Sequence, residues 1–94
     1  MNSKIIFLDV HVEGMAPFLR DLKWNVKTVT GVYGPTVEGR IDEKVIEFAE
    51  ENKNCVIVTQ DQGLADRLEN LGKDVICIQM KDLAKTVNEI LQKK

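Results

Sequence analysis

Ninety-four residues with 44% apolar and 30% charged content describe one folded domain, 1–94, and exclude a disordered chain. Thirteen basic residues face fifteen acidic ones, a formal net charge of −2. That balance excludes an avid, non-specific polyanion-binding surface, but leaves nucleic acid open as a transiently held substrate bridged by a divalent cation.

Residues 4–9 (KIIFLD) read as a continuous apolar strand, buried on both faces. Met15, Phe18, Leu19 and Leu22 follow at i, i+3, i+4 and i+7, the spacing of an inward helical stripe, with Pro17 suited to an early turn. Residues 25–30 (NVKTVT) form a second, less apolar strand, placed at an edge, and Trp24 before it is expected to pack. Residues 31–40 (GVYGPTVEGR) make a long connection with three glycines and a proline; loops of this length are commonly functional or mobile. A helix is expected over about 42–52, with Val45, Ile46 and Ala49 inward and Asp42 as its candidate N-cap. Residues 55–59 (CVIVT) are the most apolar strand. The third helix turns Leu64, Leu68 and Leu71 inward and stops at Gly72. Residues 74–79 (DVICIQ) form the last strand, and Leu83, Val87, Ile90 and Leu91 define a closing helix with a basic end.

This regular alternation implies a three-layer α/β/α sandwich with right-handed crossovers and a four-stranded parallel sheet of order 2-1-3-4. Cys55 and Cys77 lie in strand-like runs without metal-ligand spacing and are read as buried, reduced thiols. No apolar run approaches the ~18 residues of a membrane span. Met1-Asn2-Ser3-Lys4 leads straight into a strand without signal-peptide architecture, so a cytoplasmic protein with no membrane partner is expected.

Asp9 and Asp61 stand at the tips of the first and third apolar strands, where open parallel sheets bind their ligands. The order 2-1-3-4 makes those strands neighbours. Asp42, at the start of the second helix, approaches the same edge. Crowded carboxylates repel unless a cation neutralises them. An oxygen-only set with open positions suits Mg²⁺ or Mn²⁺ rather than zinc. Asp66 is a candidate fourth ligand, and Glu13 and Glu43 are lesser ones. Structural roles compete: Asp42 or Asp61 as helix caps, Asp66 as a surface charge, His11 as a neutral loop histidine. The 31–40 connection lies on the same face and offers Tyr33 to stack a base and Arg40 to meet a phosphate. Neither a Walker A motif nor G-x-G-x-x-G occurs, so nucleotide cradling has no support.

The stretches Leu8-Asp9-Val10-His11-Val12-Glu13, Ile41-Asp42-Glu43-Lys44-Val45-Ile46-Glu47-Phe48-Ala49 and Val58-Thr59-Gln60-Asp61-Gln62-Gly63-Leu64 resemble the motifs of the PIN-like superfamily. That superfamily includes VapC-type toxins and RNA-processing nucleases, and the likeness is to its short, stand-alone members. Val10-His11 stands where the first motif has E-N, and Gly63 where a further acid often sits. The resemblance implies that Asp9, Asp42 and Asp61 bind metal for RNA phosphodiester hydrolysis, with Thr59 supporting the site by hydrogen bonding. It also implies an RNA substrate, an antitoxin or other protein partner, and a homodimer as open expectations. The alternative from another class is a non-catalytic PIN-like interaction module. A receiver domain or a Toprim domain fits poorly, since the first needs an acidic pair after strand one and the second a D-x-D.

Overall fold

Four short apolar runs carry the architecture, because a strand covered on both faces must be apolar on both. The computed structural model describes residues 4–35 and 40–94. In it β1 (Ile5–Leu8), β2 (Asn25–Thr28), β3 (Cys55–Thr59) and β4 (Asp74–Cys77) form one all-parallel sheet of order β2-β1-β3-β4. The expected order therefore holds. β1 pairs β2 from Ile5↔Asn25 and β3 from Ile5↔Cys55, while β3 pairs β4 from Val56↔Asp74. Every residue of β3 is buried.

Around the sheet run a 3-10 helix over Val10–Met15 and the helices α1 (Ala16–Asp21), α2 (Val29–Tyr33), α3 (Ile41–Glu51), α4 (Gln62–Asn70) and α5 (Met80–Gln92). On one face, Phe7 and Ile57 pack with Val29, Val45, Phe48, Leu64 and Leu68 from α2, α3 and α4. The fully buried side chains here contribute about 1.5–3 kcal/mol each. Phe7 of β1 and Phe48 of α3 stack with ring centroids 3.8 Å apart and planes 6° from parallel. On the other face, Leu8, Val26 and Val58 pack with Val12 of the 3-10 helix and Ala16 of α1.

Three expectations are corrected. The second strand stops at Thr28 instead of residue 30, because the Thr28 hydroxyl accepts the Gly31 N–H at 2.9 Å and caps α2. A Cβ on residue 31 would stand 2.9 Å from that hydroxyl, so the cap requires glycine there. The stripe expected on the first helix is split: Met15 and Leu19 pack, whereas Phe18 and Leu22 are exposed. The first helix is shortened by the 3-10 helix ahead of it, so its faces are rotated from those of one continuous α-helix. Leu71 also lies exposed, as the C-cap just past the end of α4, while Leu64 and Leu68 are buried as expected.

Gly72 closes α4 with φ +74°, its N–H donating to Glu69 O and that of Lys73 to Leu68 O, both at 2.9 Å. This is a Schellman ending, for which glycine suits the left-handed position. Lys23 adopts the same conformation after α1, with φ +75°. Cys55 at the start of β3 and Cys77 at the end of β4 are both free thiols. Residues 31–33 of the expected 31–40 connection belong to α2, and residues 36–39 lie outside the described residues.

Candidate acidic site at the sheet edge

Asp9 extends β1 by one rung, its N–H donating to Val58 O at 3.0 Å. Its side chain is only 3% exposed, yet both carboxylate oxygens are used. Oδ1 accepts the Val10 N–H at 2.8 Å, making Asp9 the N-cap of the 3-10 helix, and Oδ2 accepts the Thr59 hydroxyl at 2.7 Å. Thr59 is fully buried. The parallel register sets Leu8 beside Val58, and so brings the next residues, Asp9 and Thr59, side by side.

The same hydroxyl oxygen accepts the Asp61 N–H at 3.0 Å. Thr59 thus links the two strand-tip acids, donating its proton to one side chain and a lone pair to the backbone of the other. Asp61 bends the chain into α4 as its N-cap, Oδ1 accepting the Leu64 N–H at 3.1 Å, and its carboxylate stays exposed to solvent. The capping reading of Asp61 is therefore correct, and it leaves Oδ2 outside that bond.

Asp42 is not the N-cap of α3. The helix begins one residue earlier at Ile41, with Arg40 in the cap position and no side-chain cap bond. Asp42 and Glu43 sit inside the first turn, where a carboxylate interacts favourably with the helix dipole. Burial pushes the Asp42 carboxyl above its ordinary value, and the charges of Asp61 and then Asp9 push it further. Arg67 of α4, 4.0 Å away, pulls in the opposite direction, and Glu43 adds a smaller upward push. Three elements, the tip of β1, the cap of α4 and the first turn of α3, thus bring Asp9, Asp61 and Asp42 within electrostatic reach of one another.

The remaining candidates fall around this group. Asp66 is exposed on α4 and accepts the Gln62 amide at 2.8 Å. Both oxygens of Glu13 are engaged by Thr30, accepting its N–H at 2.7 Å and its hydroxyl at 2.8 Å, so Glu13 fastens the start of α2. His11 is exposed in the 3-10 helix. Tyr33, the last residue of α2, packs against the core, with the Lys44 ammonium 5.2 Å from its ring centroid. Burial, followed by Glu47 and Glu51, raises its hydroxyl pKa. Arg40 lines an open hollow with Glu43, Lys44 and Glu47 along the start of α3.

Sequence reasoning missed Arg67, Gln62 and Gln79. Gln62 accepts the Gln79 amide, 2.6 Å away, and is 3.7 Å from the Cys77 thiol. The partners in these pairs are 15 to 25 positions apart, so no local spacing could signal them.

The donor set is made of carboxylates and a hydroxyl, the hard oxygens that Mg²⁺ and Mn²⁺ take. Among the described residues, no group of three acidic, histidine or cysteine side chains is drawn together closely enough to hold an ion. Among them, too, no helix is long and apolar enough to cross a membrane. Comparison with protein-family models, curated proteins and solved structures finds no match to this chain.

Proposed function

We propose that this chain is a PIN-like, cytoplasmic ribonuclease that hydrolyses RNA phosphodiester bonds with Mg²⁺ or Mn²⁺ at the edge formed by Asp9, Asp61 and Asp42. One observation carries the reading. A nearly fully buried carboxylate, Asp9, is held by Thr59 beside a second acid, Asp61, and a third, Asp42, stands near enough that its pKa is raised by burial and then by the charges of Asp61 and Asp9. Arg67 offsets part of the like charge on Asp42, but Asp9 and Asp61 still act on it in the opposite direction.

Asp9, Asp61 and Asp42 are the residues that would hold the ion, for which they would have to draw closer than they stand here, and the ion would supply a Lewis acid for the phosphate and for an attacking water. The chain's own contribution is position. Thr59 fixes the orientation of Asp9 and ties the Asp61 backbone to it, and the α4 cap fixes the Asp61 side chain. Arg67 is the cation nearest Asp42 and, in this reading, a phosphate contact. Arg40 and Tyr33 are the proposed RNA contacts at the rim, Tyr33 through whatever part of its ring Lys44 and the core leave open. The net charge of −2 gives little electrostatic capture of a polyanion, so turnover should be slow and only weakly salt-dependent. A toxin-like role with an antitoxin partner belongs to the same proposal.

The test is calorimetric Mn²⁺ titration together with cleavage of single-stranded RNA by extensively purified protein. Mn²⁺ binding and EDTA-sensitive cleavage, both abolished by Asp9→Asn and by Asp61→Asn, are expected. Asp66→Asn separates a fourth ligand from a surface charge: a large loss of Mn²⁺ affinity assigns the former. Cleavage that persists in EDTA or survives Asp9→Asn would replace this reading with the non-catalytic interaction module.

A further inference from the structure

The three acids at the sheet edge are not held alike. Both oxygens of Asp9 are engaged, Oδ1 by the Val10 N–H at 2.8 Å and Oδ2 by the Thr59 hydroxyl at 2.7 Å. Asp61 is fixed at two points, its Oδ1 by the Leu64 N–H at 3.1 Å and its own N–H by the Thr59 hydroxyl oxygen at 3.0 Å. Turning either carboxylate away would break the cap of the helix that follows it. Asp42 has no such tie. Among the described residues its side chain makes no hydrogen bond, and its one ion pair is with Arg67, Nη1 to Oδ2 at 4.0 Å.

The two partners come from different helices, Asp42 from the first turn of α3 and Arg67 from the last turn of α4. Each position has a local explanation, since an acid suits the start of a helix and a base its end. Those dipole effects are indifferent to whether the two side chains meet. Their side chains are 40% and 53% exposed, and ion pairs so exposed are weak. The contact is therefore easily exchanged for a stronger one.

A divalent cation at this edge demands such an exchange. As they stand, the carboxylates are not close enough to hold an ion. Asp9 and Asp61 are pinned, so closing the set falls to the acid that is able to turn. A guanidinium left beside a carboxylate that has taken up a divalent ion would face that ion's charge at short range, and like charges repel.

We infer that Arg67 is a positioning residue that holds Asp42 outward in the metal-free chain and is exchanged for the metal when Asp42 turns in. This rests on the metal-binding reading of the edge, and adds to it which acid moves and which cation it leaves. Arg67 thereby opposes metal binding, and once released it is free to meet a substrate phosphate.

Calorimetric Mn²⁺ titration at fixed ionic strength compares the parent with Arg67→Gln, and repeats the comparison in an Asp42→Asn background. Arg67→Gln should bind Mn²⁺ about two- to five-fold more tightly, the range that loss of an exposed ion pair allows, and should change nothing in the Asp42→Asn background. An equal gain in both backgrounds overturns the inference, because Arg67 then acts only as a distant charge. No gain, or a loss, in the parent background overturns it too. A second reading uses the parent alone: the Arg67 Nε–H resonance, followed by NMR during Mg²⁺ titration, should shift with the same midpoint as the Asp9 and Asp61 amides. A guanidinium signal that stays put while those amides move overturns the exchange, even if Arg67→Gln fails to fold or Asp42→Asn no longer binds metal. A parent chain that binds neither ion is a separate failure, which removes the metal-binding reading itself and this inference with it.

Discussion

Thr59→Val removes one hydroxyl and keeps the side-chain volume, so it isolates the link between the strand-tip acids. Two bonds disappear: the one donated to Asp9 at 2.7 Å and the one accepted from the Asp61 N–H at 3.0 Å. A hydrogen bond to a charged group contributes about 1.5–3 kcal/mol and a neutral one about 0.5–1.5 kcal/mol. Asp9 is buried and loses one of its two donors, so the upper part of the first range applies. The Asp61 N–H lies closer to solvent and takes the lower part of the second. Dehydration of the threonine hydroxyl in the parent offsets about 1 kcal/mol of the sum. The net expectation is a loss of about 2–3 kcal/mol, which in a domain of this size lowers Tm by roughly 8–24 °C. Urea denaturation followed by circular dichroism reads it directly, and a double-mutant cycle with Asp9→Asn gives the coupling. A coupling energy indistinguishable from zero, or a Thr59→Val loss below about 0.5 kcal/mol, would refute the claim that Thr59 holds Asp9 in place.

Two further changes test the surroundings. Asp42 binds its proton more tightly in the folded chain than at the ordinary value of 3.8, so its contribution to stability is fully present below that pH and is lost as pH rises through the raised folded value. Asp42→Asn should flatten this drift and leave the variant more stable than the parent above the carboxylate range, by an amount that solvent screening of the 40% exposed side chain keeps small. Parallel urea midpoints for the two proteins from pH 3 to 7 would refute it. Glu13→Ala should cost about 1 kcal/mol by releasing the start of α2, with faster amide exchange at Thr30 and unchanged Mn²⁺ affinity; a loss of metal binding would make Glu13 a ligand after all.

The parts of this fold that were legible are those where one residue's chemistry decides the outcome locally. Four continuous apolar runs announce buried parallel strands, and an acid ending two of them marks the candidate site at the sheet edge. The end of β2 was not legible, because Val29 and Thr30 are β-branched and favour a strand. Their helical conformation depends on Glu13, seventeen residues away. The start of α3 was misplaced by one residue because aspartate is a good N-cap in isolation. The apolar stripe of α5 shows that a face needs cover, but periodicity carries no information about which surface supplies it. Of the site, the proximity of Asp9 and Asp61 followed from strand order, while the shared hydroxyl of Thr59 and the approach of Arg67 depend on register and helix placement.

The stacked rings of Phe7 and Phe48 have a consequence at the opposite end of their elements. Phe7 lies two residues before Asp9 on β1, and Phe48 lies six residues after Asp42 on α3. With the centroids 3.8 Å apart, the rings act as a spacer that sets how far α3 stands from the strand and how far along it the helix begins. Interiors this dense transmit small changes of volume as movements of whole elements. The gap between the buried Asp9 carboxylate and the partly exposed Asp42 one is therefore gauged by two apolar rings in the core. Substitutions at either ring retune that gap while every acid stays in place.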